Sequence, residues 1–193
     1  PRPAETLRRG DRILAADGRI LELRHAMSRQ VSVAEQCRDA RLCPVRIAAG
    51  ALGQGLPRRD LLVSRQHRML VRSAVAQRMF GRPEVLVAAI RLVGLPGIAV
   101  VSDPQPICFV HLIFDRHEVI LAEGAPSESL HFGPETMRGL PDAVIDEMRL
   151  LMPDLVAGIT PAPARFMPSG RQQKRLVERL AANRRPALDH IAH

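Results

Sequence analysis

Two short stretches of this 193-residue chain hold side chains suited to moving protons. The first is Ser64-Arg65-Gln66-His67. A hydroxyl and an imidazole three residues apart in a tight bend can face the same side. There they could hydrogen-bond a distorted peptide group, the imidazole protonating its nitrogen as the bond breaks. The plainer alternative is a serine that caps its own turn beside an exposed histidine. The second stretch runs from His111 through Asp115 to His117. On one extended strand, positions 111, 115 and 117 share a face because side chains alternate with period two. Two imidazoles and a carboxylate so placed suit zinc, or form a base with its orienting carboxylate. If Asp115-Arg116-His117 is instead a hairpin turn, His111 and His117 stand on different strands. The sequence has no Gly-x-Ser-x-Gly elbow, no glycine-rich phosphate loop leading into a helix and no His-Glu-x-x-His. Neither constellation is therefore joined to an obvious nucleophile.

Short strands must position these side chains. Arg12–Ala15 and Arg19–Leu23 flank Asp17-Gly18, a strong hairpin signal. Further apolar runs follow at 45–47, 61–63, 69–71, 84–89, 98–101 and 107–114, then 118–122. Their regular spacing, with turn residues between, predicts an all-β body. The bend 64–68 joins two of these runs. After Gly133 the period changes. Pro141-Asp142 opens a stretch in which Val144, Met148, Leu151 and Met152 recur at helical spacing, stopped by Pro153. Pro161, Pro163 and Pro168 mark a linker over 158–168. Ser169 with Gln172 forms a capping box, and Leu176, Val177 and Leu180 supply one apolar stripe, predicting a helix over about 170–183. The stripe either packs on the body or reaches a partner or membrane surface as part of a basic amphipathic helix. The organisation expected is a β domain over 1–133 and a helical extension over 134–193.

Composition narrows the function classes. Hydrophobic residues make up 46% of the chain, enough for a buried core. No stretch approaches the 18 consecutive apolar residues of a membrane span. The net charge of +8 suggests nucleic acid, but its distribution argues otherwise. Residues 161–193 carry seven Lys/Arg against two Asp/Glu, a net of +5 that leaves +3 for the first 160. There is one lysine (Lys174), no Trp or Tyr and only five Phe, so a stacking surface for bases is lacking and no nucleic-acid partner is expected. Three cysteines, Cys37, Cys43 and Cys108, make neither a disulfide framework nor a zinc knuckle.

Four segments, in order, resemble the Hint (hedgehog/intein) domain family in its bacterial form. Pro3 to Leu14, with Leu7-Arg8-Arg9-Gly10-Asp11-Arg12-Ile13, resembles the family's early strand block Val-x-x-Leu-x-x-Gly-Asp-x-Val. Leu61 to Val71 resembles the Thr-x-x-His block, with Ser64 in place of Thr. Val110 to Ile120 is similar to the late block that carries an Asp/His pair, and Ala122 to Ser129 follows it as in the bacterial variants. The resemblance implies an all-β, horseshoe-like arrangement of short strands, followed here by the helical C-terminal extension.

The resemblance also implies self-directed chemistry, with the chain's own upstream polypeptide as substrate and no cofactor. A cysteine at the domain's first position attacks the preceding carbonyl, converting an amide into a thioester; covalent catalysis of this kind splits one hard step into two easier ones. By matching position, Ser64 hydrogen-bonds the scissile peptide, His67 protonates its departing nitrogen, and His117 with Asp115 assists proton transfer. The family's cysteine is expected about a dozen residues before Pro1, and the His-Asn pair that ends splicing inteins is absent. The expectation is therefore N-terminal autocleavage in a longer chain, with this piece inactive by itself. The alternatives are a catalytically degenerate Hint scaffold that binds a protein partner through its C-terminal helix, and a zinc-binding β domain using His111, Asp115 and His117.

Overall fold

The Asp17-Gly18 hairpin forms where its sequence predicts, between β1 (Arg12–Leu14) and β2 (Ile20–Glu22). Gly18 takes φ +86°, and the Asp17 carboxylate accepts the Arg19 amide two residues on. That positive φ is why a glycine suits the position. The computed structural model describes residues 2–131 and 162–189, so the helix expected near 144–152 lies outside the described residues.

Eleven short strands, in four antiparallel sheets, supply most of the regular secondary structure among the described residues. After the hairpin come β3 (His25–Val31), β4 (Val45–Ile47), β5 (Leu61–Val63), β6 (Arg68–Arg72) and β7 (Glu84–Ala88). They are followed by β8 (Ile98–Val100), β9 (Ile107–Ile113), β10 (Val119–Ala122) and β11 (Ala125–Glu128). The largest sheet has the order β10-β11-β6-β7, β5-β4-β8 forms a second, and β3 pairs with β9 in a seven-residue ribbon. This is the all-β class that the strand spacing predicts.

Two strands and three helices escape the periodicity. In β3, His-Ala-Met-Ser-Arg-Gln-Val has no clean alternation; full pairing with β9, from His25↔Ile113 to Val31↔Ile107, makes it a strand. β11 contains Pro126, a residue that argues against a strand on sequence grounds. The helices α1 (Val33–Arg38), α2 (Ala74–Phe80) and α3 (Ala89–Leu92) are one or two turns long. Ser32 and Glu35 close a capping box on α1, and Ser73 caps α2 while Gly81, at φ +68°, stops it.

β6 and β7 bury both faces, which explains their unbroken apolar runs. Met69 and Val71 of β6, with Val85 and Val87 of β7, point into the main core beside Val45 and Ile47. Leu70 and Leu86 point the other way, against Val119, Ala164 and Met167. The predicted C-terminal helix, α4, spans Gly170–Ala182 and begins with the Ser169–Gln172 capping box. Its stripe is packed: Leu176 and Leu180 are fully buried in the main core, and Val177 joins them. Gln173 extends the join, accepting the Ala88 amide at 3.1 Å and donating to the Pro168 carbonyl at 2.7 Å. Segment 162–189 thus covers both faces of the central sheet. Among the described residues the outward side of α4, with Arg171, Lys174, Arg175 and Arg179, is exposed. No helix among the described residues is long and apolar enough to cross a membrane.

Candidate functional site

Ser64 to His67 form the tight turn between β5 and β6, closed by the His67 amide on the Ser64 carbonyl at 3.1 Å. The carbonyls of His67 and Arg65 accept the amides of Ala89 and Ile90, tying the turn to α3. Ser64 and His67 both line a cleft of about 630 Å³. Its opposite wall is β9, from which Cys108 and His111 face it, and Ala4 and Glu5 near the start of the chain complete the lining. The turn therefore brings together the two side chains that the sequence singles out, in a cavity that the N-terminal residues reach.

β11 supplies what the sequence analysis missed. In Ser127-Glu128-Ser129, three consecutive buried residues each fasten a different piece of the site. The Ser127 hydroxyl lies 2.5 Å from Nε2 of His67. Glu128 Oε1 accepts the Arg68 amide at 2.7 Å, and Oε2 lies 3.2 Å from the Arg68 guanidinium. The Ser129 hydroxyl accepts the Glu118 amide at 2.9 Å. Acidic and hydroxyl residues after a late strand are ordinary in sequence; only the pairing of β11 between β10 and β6 shows what they touch.

Asp115 and Arg116 form the bend between β9 and β10, so His111 and His117 sit on different segments. The one-face arrangement of 111, 115 and 117 is thereby corrected. Asp115 stays at the surface, its carboxylate taken by Nε and Nη2 of Arg24 at 2.8 and 3.0 Å. Those guanidinium bonds hold its carboxyl below the usual carboxylate range. Among the described residues, no three His, Cys, Asp or Glu side chains assemble into a metal site.

His117 is buried, with a side chain 1% exposed, and does not line the cleft. Its Nδ1 accepts the Ala164 amide at 3.1 Å. A nitrogen that accepts cannot carry the proton, so the neutral ring is protonated on Nε2. Nε2 points to Glu128 Oε2 at 3.4 Å, longer than a good hydrogen bond. The His131 ring packs against His117 with centroids 4.7 Å apart.

Burial pushes His67 below its ordinary value of 6.5; the negative charge of Glu128 opposes this, while His111, Arg68 and His117 add to it. Burial lowers His111 too, again opposed by Glu128. For Glu128, burial acts upward, but His117, His67 and Arg68 together carry the carboxyl below its ordinary value of 4.5. His67 and His111 are thereby held as neutral imidazoles, and Glu128 as an ionised carboxylate, near neutral pH.

The first 134 residues match a family model for the Hint domain. The chain belongs to the Hint domain family. The match covers every strand described above, and the family is one of autoprocessing-type domains. No curated protein and no solved structure matches the chain. Residues 162–189 lie beyond the matched range, yet they complete the core of this Hint domain and orient His117 through Ala164.

A pH dependence follows. The pKa values of His67 and His111 are lowered in the folded state, so the unfolded chain binds more protons once the pH falls below about 6.5. Stability of this Hint domain is expected to fall from pH 7 toward pH 5. A second loss is expected below about 4.5, as Glu128 takes up its proton. Urea midpoints across pH 4–8 check this, and His67→Gln should flatten the upper part of the slope. An unchanged slope in that variant would contradict the assignment.

Proposed function

We propose that this Hint domain activates the peptide bond at its own N-terminal junction, in a longer polypeptide, for an N–S acyl shift. The observation that supports it best is the shared cleft: Ser64 and His67 line it, and so do Ala4 and Glu5 near the chain start. An upstream segment entering there would pass the two side chains that the Thr-x-x-His pattern assigns to the scissile peptide.

In this reading the nucleophile is a cysteine at the junction, upstream of Pro1, and residues 1–193 by themselves are inactive. His67 is a neutral imidazole near neutral pH, which suits it to take a proton first and return it later. The thiol proton goes to His67 as sulfur adds to the carbonyl carbon. The C–N bond then breaks, and His67 returns the proton to the departing nitrogen. Ser64 donates its hydroxyl hydrogen to the strained peptide. Amide and thiol become thioester and amine, with atoms balanced and no co-reactant needed. Ser127 at Nε2 fixes the ring, and among the described residues no group hydrogen-bonds Nδ1.

His117, buried and out of the cleft, would act through Glu128 rather than on the peptide. Asp115, held outward by Arg24, would act on the fold of the bend.

The test is the intact mass of the polypeptide expressed with its native upstream residues, with and without dithiothreitol. Thiol-stimulated cleavage at the junction is expected, slowed by Ser64→Ala and unaffected by Cys108→Ser. Cleavage that needs Cys108 would place the nucleophile in the cleft wall and overturn the junction reading. An uncleaved chain under every condition would favour the degenerate scaffold.

A further inference from the structure

Among the described residues that line the cleft, Glu128 is the one buried carboxylate. Burying a carboxylate is costly unless it is paired, and a buried ion pair replaced by apolar side chains often leaves stability unchanged or raised. The best-made bond is at Oε1, which accepts the part-buried Arg68 amide at the start of β6 at 2.7 Å. Oε2 has the Arg68 guanidinium at 3.2 Å and His117 Nε2 at 3.4 Å, neither of them a short bond. Asp115, the acid that the family resemblance selects, is engaged by Arg24 at the surface.

We propose that Glu128 is the positioning carboxylate of this site, holding His117 and Arg68 against itself and supplying the countercharge for His67 whenever His67 carries a proton. The groups that bear on His67 come from every element around it. They are Arg68 at the start of β6, Ser127 and Glu128 on β11, His111 on β9 and His117 before β10. Glu128 alone among the charged ones favours the imidazolium. The Ala164 amide is part of the device. By occupying Nδ1 of His117, it keeps the Nε2 proton turned toward the carboxylate. The segment beyond the family match thereby contributes to the site's electrostatics. Only the kinetic consequence rests on the proposed self-cleavage; the pairing of Glu128 with the imidazoles does not.

Glu128→Gln is the discriminating variant, because the amide oxygen can still accept the Arg68 amide while the charge is gone. The protein of residues 1–193 is titrated by NMR on its histidine ring nitrogens. In Glu128→Gln the His67 midpoint is expected to fall by about one pH unit, the effect of losing one nearby opposite charge. Asp115→Asn should leave it in place. An unmoved His67 midpoint in a folded Glu128→Gln protein, or an equal shift in Asp115→Asn, overturns the proposal. The unaltered protein supplies a second reading that needs no variant. Its His67 resonance should show an additional inflection in acid, as Glu128 is protonated, and a single-step titration would also overturn the proposal. In the longer chain, Glu128→Gln should move the acid limb of the cleavage rate downward together with His67. If that chain never cleaves, the proposed function fails while the titration still decides the role of Glu128.

Discussion

His67→Ala, placed in the longer polypeptide, is expected to slow thiol-stimulated cleavage by about a thousandfold, within the range for losing a positioned general acid–base group. In the proposed acyl shift the ring would serve both halves, accepting the thiol proton and returning it to nitrogen, and nothing else in the turn could do both. Ser64 has no proton to spare without a base, and His117 is buried and does not line the cleft. The fold should survive, because the side chain makes one side-chain hydrogen bond, to Ser127, worth about 1 kcal/mol. Cleavage rates by intact mass, with urea midpoints for the same proteins, separate the two effects. A rate within about tenfold of the unaltered chain would remove His67 from the chemistry.

Leu176→Ala is expected to destabilise residues 1–193 by about 3 kcal/mol, and Leu180→Ala by a similar amount. Both side chains are fully buried in the main core, among Val71, Val75, Ala76 and Leu92. α4 is therefore structural although it lies beyond the family match. Ending the chain at residue 134 would uncover that core, remove the Gln173 cap on Ala88 and take away the Ala164 amide from His117. Such a truncation should lose cooperative unfolding. Urea or thermal denaturation of the two leucine variants checks the prediction. Losses below about 1 kcal/mol would mean that the helix is peripheral.

Where local pattern and burial agree, the sequence is transparent. The Asp-Gly turn, the apolar runs of β6 and β7 and the Ser169 capping box each carry their own signal, and each appears in place. The Ser64–His67 turn is legible for the same reason, since both residues belong to one four-residue bend. The other half of the site is made by strand pairing over about sixty residues, as in His67 with Ser127 and Arg68 with Glu128. No local period announces such contacts. Pro126 even argues against the strand that makes them. Asp115 shows the converse: a motif residue at the matching position, turned to the surface because its segment is a bend and Arg24 claims it. Alternation places residues on a face only while the strand continues, and β9 ends at Ile113.

The most direct test of the account is the mass of the upstream fragment released from the longer polypeptide by hydroxylamine. A thioester at the junction is predicted to yield a fragment ending in a hydroxamate, with a downstream fragment that begins with the junction cysteine. An intact chain, or an upstream fragment whose mass is the same with and without the added nucleophile, would contradict the acyl shift on which the account depends.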